Sequence, residues 1–236
     1  MTPARSRLSA ASGLSRLSRL RDATEPRWQR RPGSRRGELL AAAQELFIAR
    51  GIDATTVGDI ADAAGVAKGS FYRYFSSKDQ VIAALKERFV DELIDRVATA
   101  TTASGDGDAG LVVDAVVAES ISYLWQERGL MEVWCREPAG DADTWTASAA
   151  KLSGVYEAGI RQGVDAGVLD CNDPRTTALL IINAVEGTVE HAILYGTPDR
   201  AHLTAAAQDL VRRAIGLPCR NDQAAATPQP PGRRRG

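Results

Sequence analysis

From residue 35 onward, apolar side chains recur at helical spacing almost everywhere. No stretch alternates apolar and polar residues with the period of two that a strand needs. The first stripe, Leu39, Ala43, Leu46 and Phe47, predicts a helix over 35–50 with Gly51 as its stop. Thr56 with Asp59 three residues on reads as a helix start. Val57, Ile60, Ala61 and Ala64 then fall at i, i+3, i+4 and i+7 of a short amphipathic helix ended by Gly65. A third short helix is expected over 67–75, and Ser77-Lys78-Asp79-Gln80 reads as a capping box opening a long fourth helix to about residue 100.

The stretch 101–110 (TTASGDGDAG) is polar and glycine-rich, which predicts a loop. Further helices are expected over 111–127, ending near Gly129, then over 130–136, and over 143–166 between the Pro138-Ala139-Gly140 break and Gly167. Asp173-Pro174 is an N-cap followed by proline at the first helical position, and Thr197-Pro198 reads as the same device. These open helices over 174–195 and 198–215, after which Pro218 and the Pro-, Ala- and Arg-containing tail read as unstructured. The fold class expected is all-α with about nine helices, three small ones followed by a helical bundle.

Composition changes this picture little until the charge is divided. The 236 residues are 44% hydrophobic and 25% charged, which excludes a wholly disordered chain, and the formal net charge is −1. Residues 1–37, however, hold ten arginines against Asp22 and Glu25, a net +8. Residues 38–90 are at −1, residues 91–219 at −11, and residues 220–236 at +3. One end attracts polyanions and the bulk repels them. Cys135, Cys171 and Cys219 are odd in number, far apart and without C-x-x-C spacing, so a disulfide framework or zinc site is not expected and a reducing, cytoplasmic setting is. No run of about 18 apolar residues is present, so no membrane span is expected. The first 33 residues are Arg- and Ser-rich and carry Leu8, Leu14, Leu17 and Leu20; that composition fits a disordered basic arm or an organelle transit peptide, and translation could also start downstream.

The most specific signal is residues 52–78, IDATTVGDIADAAGVAKGSFYRYFSSK. Two short helices joined by a tight turn at Gly65 match a helix-turn-helix, with Ala61 at the close approach and Val66 plugging the core between them. Phe71 and Phe75, four residues apart, share a buried face, and Gly69, Ser70 and Arg73 point the other way. Small residues beside Arg and Tyr suit the major groove, where arginine bonds guanine O6 and N7 bidentately. Tyr72 and Tyr74 either join that face or serve as packing aromatics.

At these residues the chain resembles the tetracycline-repressor (TetR) family of bacterial transcriptional regulators. The resemblance rests on the helix before Gly51, the TTVGDIADAAGVAKGSFYRYF run and the SSKDQV entry to the fourth helix, about 50 residues in all. It implies that Thr56 and the amides after it hold a phosphate, and that Lys68 and Gly69 lie at the groove edge. It further implies that Ser70, Tyr72 and Arg73 face bases or phosphates, that Tyr74 faces a phosphate, and that Lys78 meets the backbone from the fourth helix. The Arg-rich arm exceeds the usual family start; Arg27, Arg30, Arg31, Arg35 and Arg36 either enter the minor groove or remain a solvated, non-specific arm.

This divides the chain into an Arg-rich arm (1–33), a helix-turn-helix DNA-binding domain (34–80), a ligand-sensing and dimerisation bundle (81–216) and a C-terminal tail (217–236). Binding two half-sites of a double-stranded operator calls for a homodimer. The helix over 174–195 is apolar nearly all round, and the last helix offers a second stripe. Leu179, Ile182, Val189, Ile193, Leu203, Leu210 and Ala214 are therefore the expected interface, unless these helices only complete the monomer core. Trp125, Trp134 and Trp145 with Tyr123 and Met131 are either ordinary core or the wall of a pocket for a small apolar or aromatic effector. Phe89, Tyr156 and Glu186 extend that candidate site.

Glu186, Glu190 and His191 suggest an interface salt bridge or a metal anchor, but His191 stands about 100° round the helix from Glu190; no metal or cofactor is expected. An enzyme is disfavoured, because no nucleophile–base pair, H-E-x-x-H or phosphate-cradling glycine loop is present. The expected function is a ligand-responsive repressor released from its operator, working in the bacterial cytoplasm and on the nucleoid when bound. The alternative is a regulator or chromosome-associated protein of the same fold without an inducer. In either case the fourth helix would act as lever, with Val90, Leu93, Ile94 and Val97 against the bundle.

Overall fold

The computed structural model describes residues 34–104, 108–137 and 142–219, the side chains of 142–145 excepted. These residues form nine helices and no strand: α1 (Arg35–Arg50), α2 (Val57–Ala63), α3 (Lys68–Phe71), α4 (Lys78–Ala103), α5 (Ala109–Gln126), α6 (Arg128–Arg136), α7 (Ala142–Asp165), α8 (Pro174–Tyr195) and α9 (Arg200–Ala214). The arm (1–33, with Arg27, Arg30 and Arg31), the Pro138 break and the tail beyond residue 219 lie outside the described residues.

Four boundaries depart from the hydrophobic pattern, each for a local reason. α4 runs past residue 100 because its threonines bond back along the helix: the Thr99 and Thr101 hydroxyls donate to the carbonyls of Asp95 and Val97, each at 2.8 Å. A polar stretch that reads as loop thus satisfies itself as helix. α5 starts two residues early because the Asp108 carboxylate accepts from the Gly110 N–H at 2.7 Å. Gly129 lies inside α6 and does not stop the preceding helix. A Cβ there would sit 3.3 Å from Ile48 Cγ2, so the missing side chain lets α6 rest on α1. The cap of α9 is Asp199, whose carboxylate accepts from Ala201 and His202 at 3.0 Å, and not Thr197-Pro198. A carboxylate meeting two amides outcompetes one hydroxyl.

The apolar faces close into two cores. The first takes Leu39, Leu40, Ala43 and Phe47 of α1, Ile52, Ile60 and Ala61, Phe71 and Phe75, the α4 residues Val81 to Leu85, and Val133 of α6. The second begins on the same helix α4 at Phe89 and gathers α5 to α9. The head therefore extends onto α4 to Leu85, beyond the break expected at residue 80. Trp134 packs against both cores, so α4 and α6 are the two elements that join them.

Candidate nucleic-acid interface

The turn from α1 to α2 is held from both sides. Gly51 has φ +90°, a region that favours glycine, and a Cβ on it would lie 2.4 Å from a Glu137 carboxylate oxygen. That carboxylate accepts from the N–H groups of Ile52 (2.8 Å) and Asp53 (3.0 Å). From the other side the Lys78 ammonium donates to the carbonyls of Ile52 (2.6 Å) and Thr55 (3.2 Å). An anion on the amides and a cation on the carbonyls fix the turn through charge-assisted bonds.

α2 then opens on a full capping box. The Asp59 N–H donates to Thr56 Oγ1 at 3.2 Å, and the Asp59 carboxylate accepts from the Thr56 N–H (2.8 Å) and hydroxyl (2.6 Å). The Thr56 hydroxyl and amide bonds, with the Arg50 guanidinium at 2.8 Å, hold the Asp59 carboxyl down at about 2. The box opening α4 is looser than its sequence suggests: Ser77 Oγ accepts from Gln80 N–H, but Gln80 Oε1 reaches back to Ser76 N–H.

Gly65, at φ +65°, turns the chain into α3, and the helical path continues beyond Phe71 through turns. The Arg73 N–H donates to Ser70 O, and the Tyr74 and Phe75 N–H groups donate to Phe71 O. Phe71 and Phe75 are buried with ring centroids 5.8 Å apart. The opposite side carries exposed Lys68, Gly69 and Arg73, half-buried Ser70, and Tyr72 and Tyr74 at 53% and 37% exposure. These exposures leave both tyrosine rings at the surface, not in the packed interior. Lys68 and Arg73 make no ion pair among the described residues. One small face thus gathers two cations, two phenols and two small residues.

Four residues expected at the DNA take on other work. Thr56 gives its hydroxyl proton to Asp59, and Lys78 has one N–H beyond the two that hold the turn. Arg35 and Arg36 are not arm residues: they lie in the first turn of α1, Arg35 paired with Glu38 at 2.6 Å and Arg36 stacked 5.0 Å over the Phe75 ring.

In the bundle, the expected aromatic wall does not gather round one space. Phe89, Tyr123 and Trp134 pack on one another, with Phe89 centred 5.0 Å from Tyr123 and 5.3 Å from Trp134. Trp125 and Met131 are half-buried at the edge of that core, and the Trp145 side chain lies outside the described set. A cavity of about 20 Å³ opens elsewhere, between α4, α5, α7 and α8. Tyr156 and Glu186 line it, with Ser120 and seven aliphatic residues that include Leu93, Leu152 and Ile182. Burial, with Glu190 one turn on, pushes Glu186 up to about 7, and burial pushes Tyr156 up to about 12. Glu186, Glu190 and His191 part company: Glu190 bonds the Cys135 thiol and the His191 ring lies on Tyr195 at 4.6 Å. Among the described residues, no three metal-ligating groups come together.

The expected pairing face needs correction at two residues. Val189 is 0% exposed and Leu203 3%, so both fill the protomer's own core. What α8 and α9 leave outside is a stripe one step round, with Leu179, Leu180, Ala184, Gly187 and Tyr195 on α8 and Leu210 and Ala214 on α9. Ile182 and Ile193 are half-buried against the core. α8 is also long and apolar enough to cross a membrane, with mean hydropathy 1.3, although polar residues interrupt its apolar run. Its residues Ala178, Ile181, Val185, Val189 and Ala192 are buried against the bundle, and most of the rest of its apolar length is not.

Sequence reasoning missed Glu137 and Ser120. Ser120 carries a signal, a lone hydroxyl in the Val117, Ile121, Leu124 stripe; Glu137 carries none, since its partners stand 84 and 85 residues away.

Comparison with known proteins agrees with this geometry. The sequence profile described as bacterial regulatory proteins, tetR family, matches residues 39–85, which ends where the head's core ends on α4. The chain is 33% identical over 138 residues to the HTH-type transcriptional repressor KstR2 of Rhodococcus jostii, covering 55% of this chain and 67% of that repressor. Against KstR2 of Mycolicibacterium smegmatis, identity is 49% over 65 residues, 28% of this chain and 32% of that protein. The chain thus spans about a third of the length of the first such relatives. In fold it is similar to the transcriptional regulator FadR from Bacillus subtilis in complex with stearoyl-CoA, with TM-score 0.65 and 19% identity over 75% of this chain and 98% of FadR.

Proposed function

Since the chain belongs to the tetR family of bacterial regulatory proteins, we propose that it is a ligand-responsive, homodimeric transcriptional repressor that leaves a palindromic operator when a small molecule enters the bundle. The observation that carries this reading is the exposed face of residues 68–74 on a sealed apolar core. Lys68 and Arg73 are free of acidic partners there, and a rigid backing lets a few groups hold register in a groove. Arg73 and Ser70 read base edges; Lys68, Tyr72, Tyr74 and the third N–H of Lys78 meet phosphates. At the start of α2 a phosphate meets main-chain amides, since the Thr56 hydroxyl is engaged. The arm (1–33), with Arg30 and Arg31, adds sequence-independent attraction.

Two heads spaced by about 34 Å would enter successive major grooves. The exposed α8–α9 stripe supplies the pairing face, because Ala184 and Gly187 let a second helix approach between Leu180 and Tyr195. α4 and α6 carry the bundle's shape to the head. An occupant that prefers wrongly spaced heads lowers operator affinity in proportion to that preference, and a coupling of about 1–3 kcal/mol gives roughly 5–150-fold. The setting is the cytoplasm, at the nucleoid. That FadR, a transcriptional regulator similar in fold, forms a complex with stearoyl-CoA supports a small-molecule partner for this fold.

Selection of bound DNA from a random library tests this reading. The expected product is an inverted repeat; recovery of no preferred sequence overturns it. On the selected operator, Arg73→Ala should weaken specific binding by about tenfold or more with Tm unchanged. Unchanged affinity removes Arg73 from the reading head.

A second reading has its own support. The cavity holds only about 20 Å³ and the large aromatics fill their own space, which suits a DNA-binding regulator or chromosome-associated protein without an inducer. A thermal-shift screen in which no small molecule raises Tm favours it.

A further inference from the structure

We infer that the α4–α5–α7–α8 cavity selects an apolar molecule whose polar end donates a hydrogen bond, an amine or an alcohol, and rejects the matching carboxylate. The inference rests on the proposal that the bundle is a sensing domain.

Ser120 Oγ donates to the Val116 carbonyl at 2.7 Å, so its one hydrogen is engaged. Ser120 Oγ and Tyr156 Oη lie 2.8 Å apart, and the proton between them therefore comes from Tyr156. With both hydroxyl hydrogens used, what these groups still offer is lone pairs. Glu186, the third polar residue in the wall, adds a carboxyl. When ionised it is acceptor-only, and burial gives it a strong preference for a donor or a positive charge.

The rest of the lining is aliphatic: Leu93, Val117, Leu124, Leu152, Ile181, Ile182 and Val185. Among the described residues no lysine, arginine or histidine lines the cavity. An incoming carboxylate would leave water for a wall of acceptors beside a like charge, with no counter-ion. An amine or hydroxyl would meet Glu186 and Tyr156 as a donor, and its hydrocarbon would lie along the aliphatic side chains. At about 20 Å³ the space is smaller than an alkyl chain, so an occupant enters by parting the aliphatic side chains of α4, α5, α7 and α8.

The octyl series separates these cases with one hydrocarbon and three heads: octylamine, 1-octanol and octanoate, titrated into the full chain at pH 8 with tryptophan fluorescence and Tm as readouts. The expected order is octylamine and octanol binding, with octanoate weaker than octylamine by about tenfold or more. In Glu186→Gln, a near-isosteric change that removes the buried charge, the amine-to-acid preference should collapse to about threefold or less, with octanol weakened less than octylamine because the amide keeps one acceptor oxygen. Tyr156→Phe, which deletes an acceptor and keeps the ring, should weaken octylamine and octanol together. Octanoate binding as tightly as octylamine, an unchanged preference in Glu186→Gln, or no binding by any of the three overturns the inference. Binding with the expected order but no release of operator DNA in a parallel gel shift upholds the cavity's selectivity and overturns the sensing role.

Discussion

The head and the bundle are made from the same amphipathic helices, yet they bury different groups. The head's interior is apolar, from Leu39 and Phe47 to Phe71 and Leu85, with Thr55 buried in it, its hydroxyl donating to Gly51 O at 2.7 Å, and Lys86 buried over Trp134 where head and bundle meet. The bundle buries Ser120, Ser148, Gln208 and Arg212, and sets Glu186 into a cavity. An apolar core specifies a shape and asks nothing further of its surroundings. A core with polar groups depends on keeping their hydrogen bonds, and a ligand or a proton can change that balance. The difference teaches a division of labour: a fixed reading surface and a chemically adjustable interior, joined by α4 and α6.

The polar half of that comparison is most exposed to test at Arg212. Its guanidinium, 2% exposed, makes a bidentate pair with Asp114, both bonds at 2.8 Å, and donates to Pro218 O at 3.0 Å. Arg212→Ala leaves the Asp114 carboxylate without its counter-ion, so a loss of about 3–5 kcal/mol is expected. On a chain of this size that lowers Tm by roughly 10 °C. Urea unfolding followed by tryptophan fluorescence measures it. A loss below about 1 kcal/mol would mean that the bundle tolerates the charge because water reaches it.

Glu186 gives the comparison a pH dependence. The unfolded chain ionises it near the ordinary glutamate value of 4.5, and the fold holds it to about 7, through burial first and Glu190 second. Between those values the folded state keeps a proton that the unfolded state has released, so stability falls as pH rises through this window. Above it, the ionised carboxylate faces Glu190 on its own helix and the Tyr156–Ser120 pair from α7 and α5, at a cost on the order of 3 kcal/mol. Glu186→Gln should therefore match the parent protein near pH 4.5 and exceed its stability at pH 8. Parallel stability curves for the two proteins would place Glu186 in contact with solvent.

The same contrast decides how much was legible in the sequence. The head is written locally: the spacing of Val57, Ile60 and Ala61, the Thr56–Asp59 box and the Phe71–Phe75 pair each operate within a turn or two of helix. α1 and α8 fall where their stripes and caps predict, Arg35–Arg50 and Pro174–Tyr195. The bundle's site is not local. Trp125 and Trp134 are close in sequence, but α5 and α6 carry them to different places: Trp134 packs against both cores and Trp125 against the bundle's alone. The cavity instead draws Leu93, Ser120, Tyr156 and Glu186 from four helices. The α8 stripe misled for a related reason, since a helix apolar on several faces does not say which one meets its own core, and Val189 falls there.

The smallest expected effect lies at the joint between the two regions. Glu137 ends α6 and holds the Ile52 and Asp53 amides, while Gln44 of α1 donates to Glu127 at 3.1 Å near the start of α6. The turn before the reading helices is thereby tied to the bundle by a single side chain. Glu137→Ala frees two amides at a partly exposed site, so a stability loss of about 1–2 kcal/mol is expected. The sharper readout is hydrogen exchange: the Ile52 and Asp53 amides should exchange faster in Glu137→Ala and at an intermediate rate in Glu137→Gln, which keeps an acceptor without the charge. Sequence preference on selected DNA should be retained, because residues 68–74 sit on the apolar core and not on this carboxylate. Release of that DNA by a bundle ligand should weaken, because α6 keeps its packing at Trp134 but no longer holds the turn. Full release together with unchanged exchange at Ile52 and Asp53 would leave α4 as the sole lever.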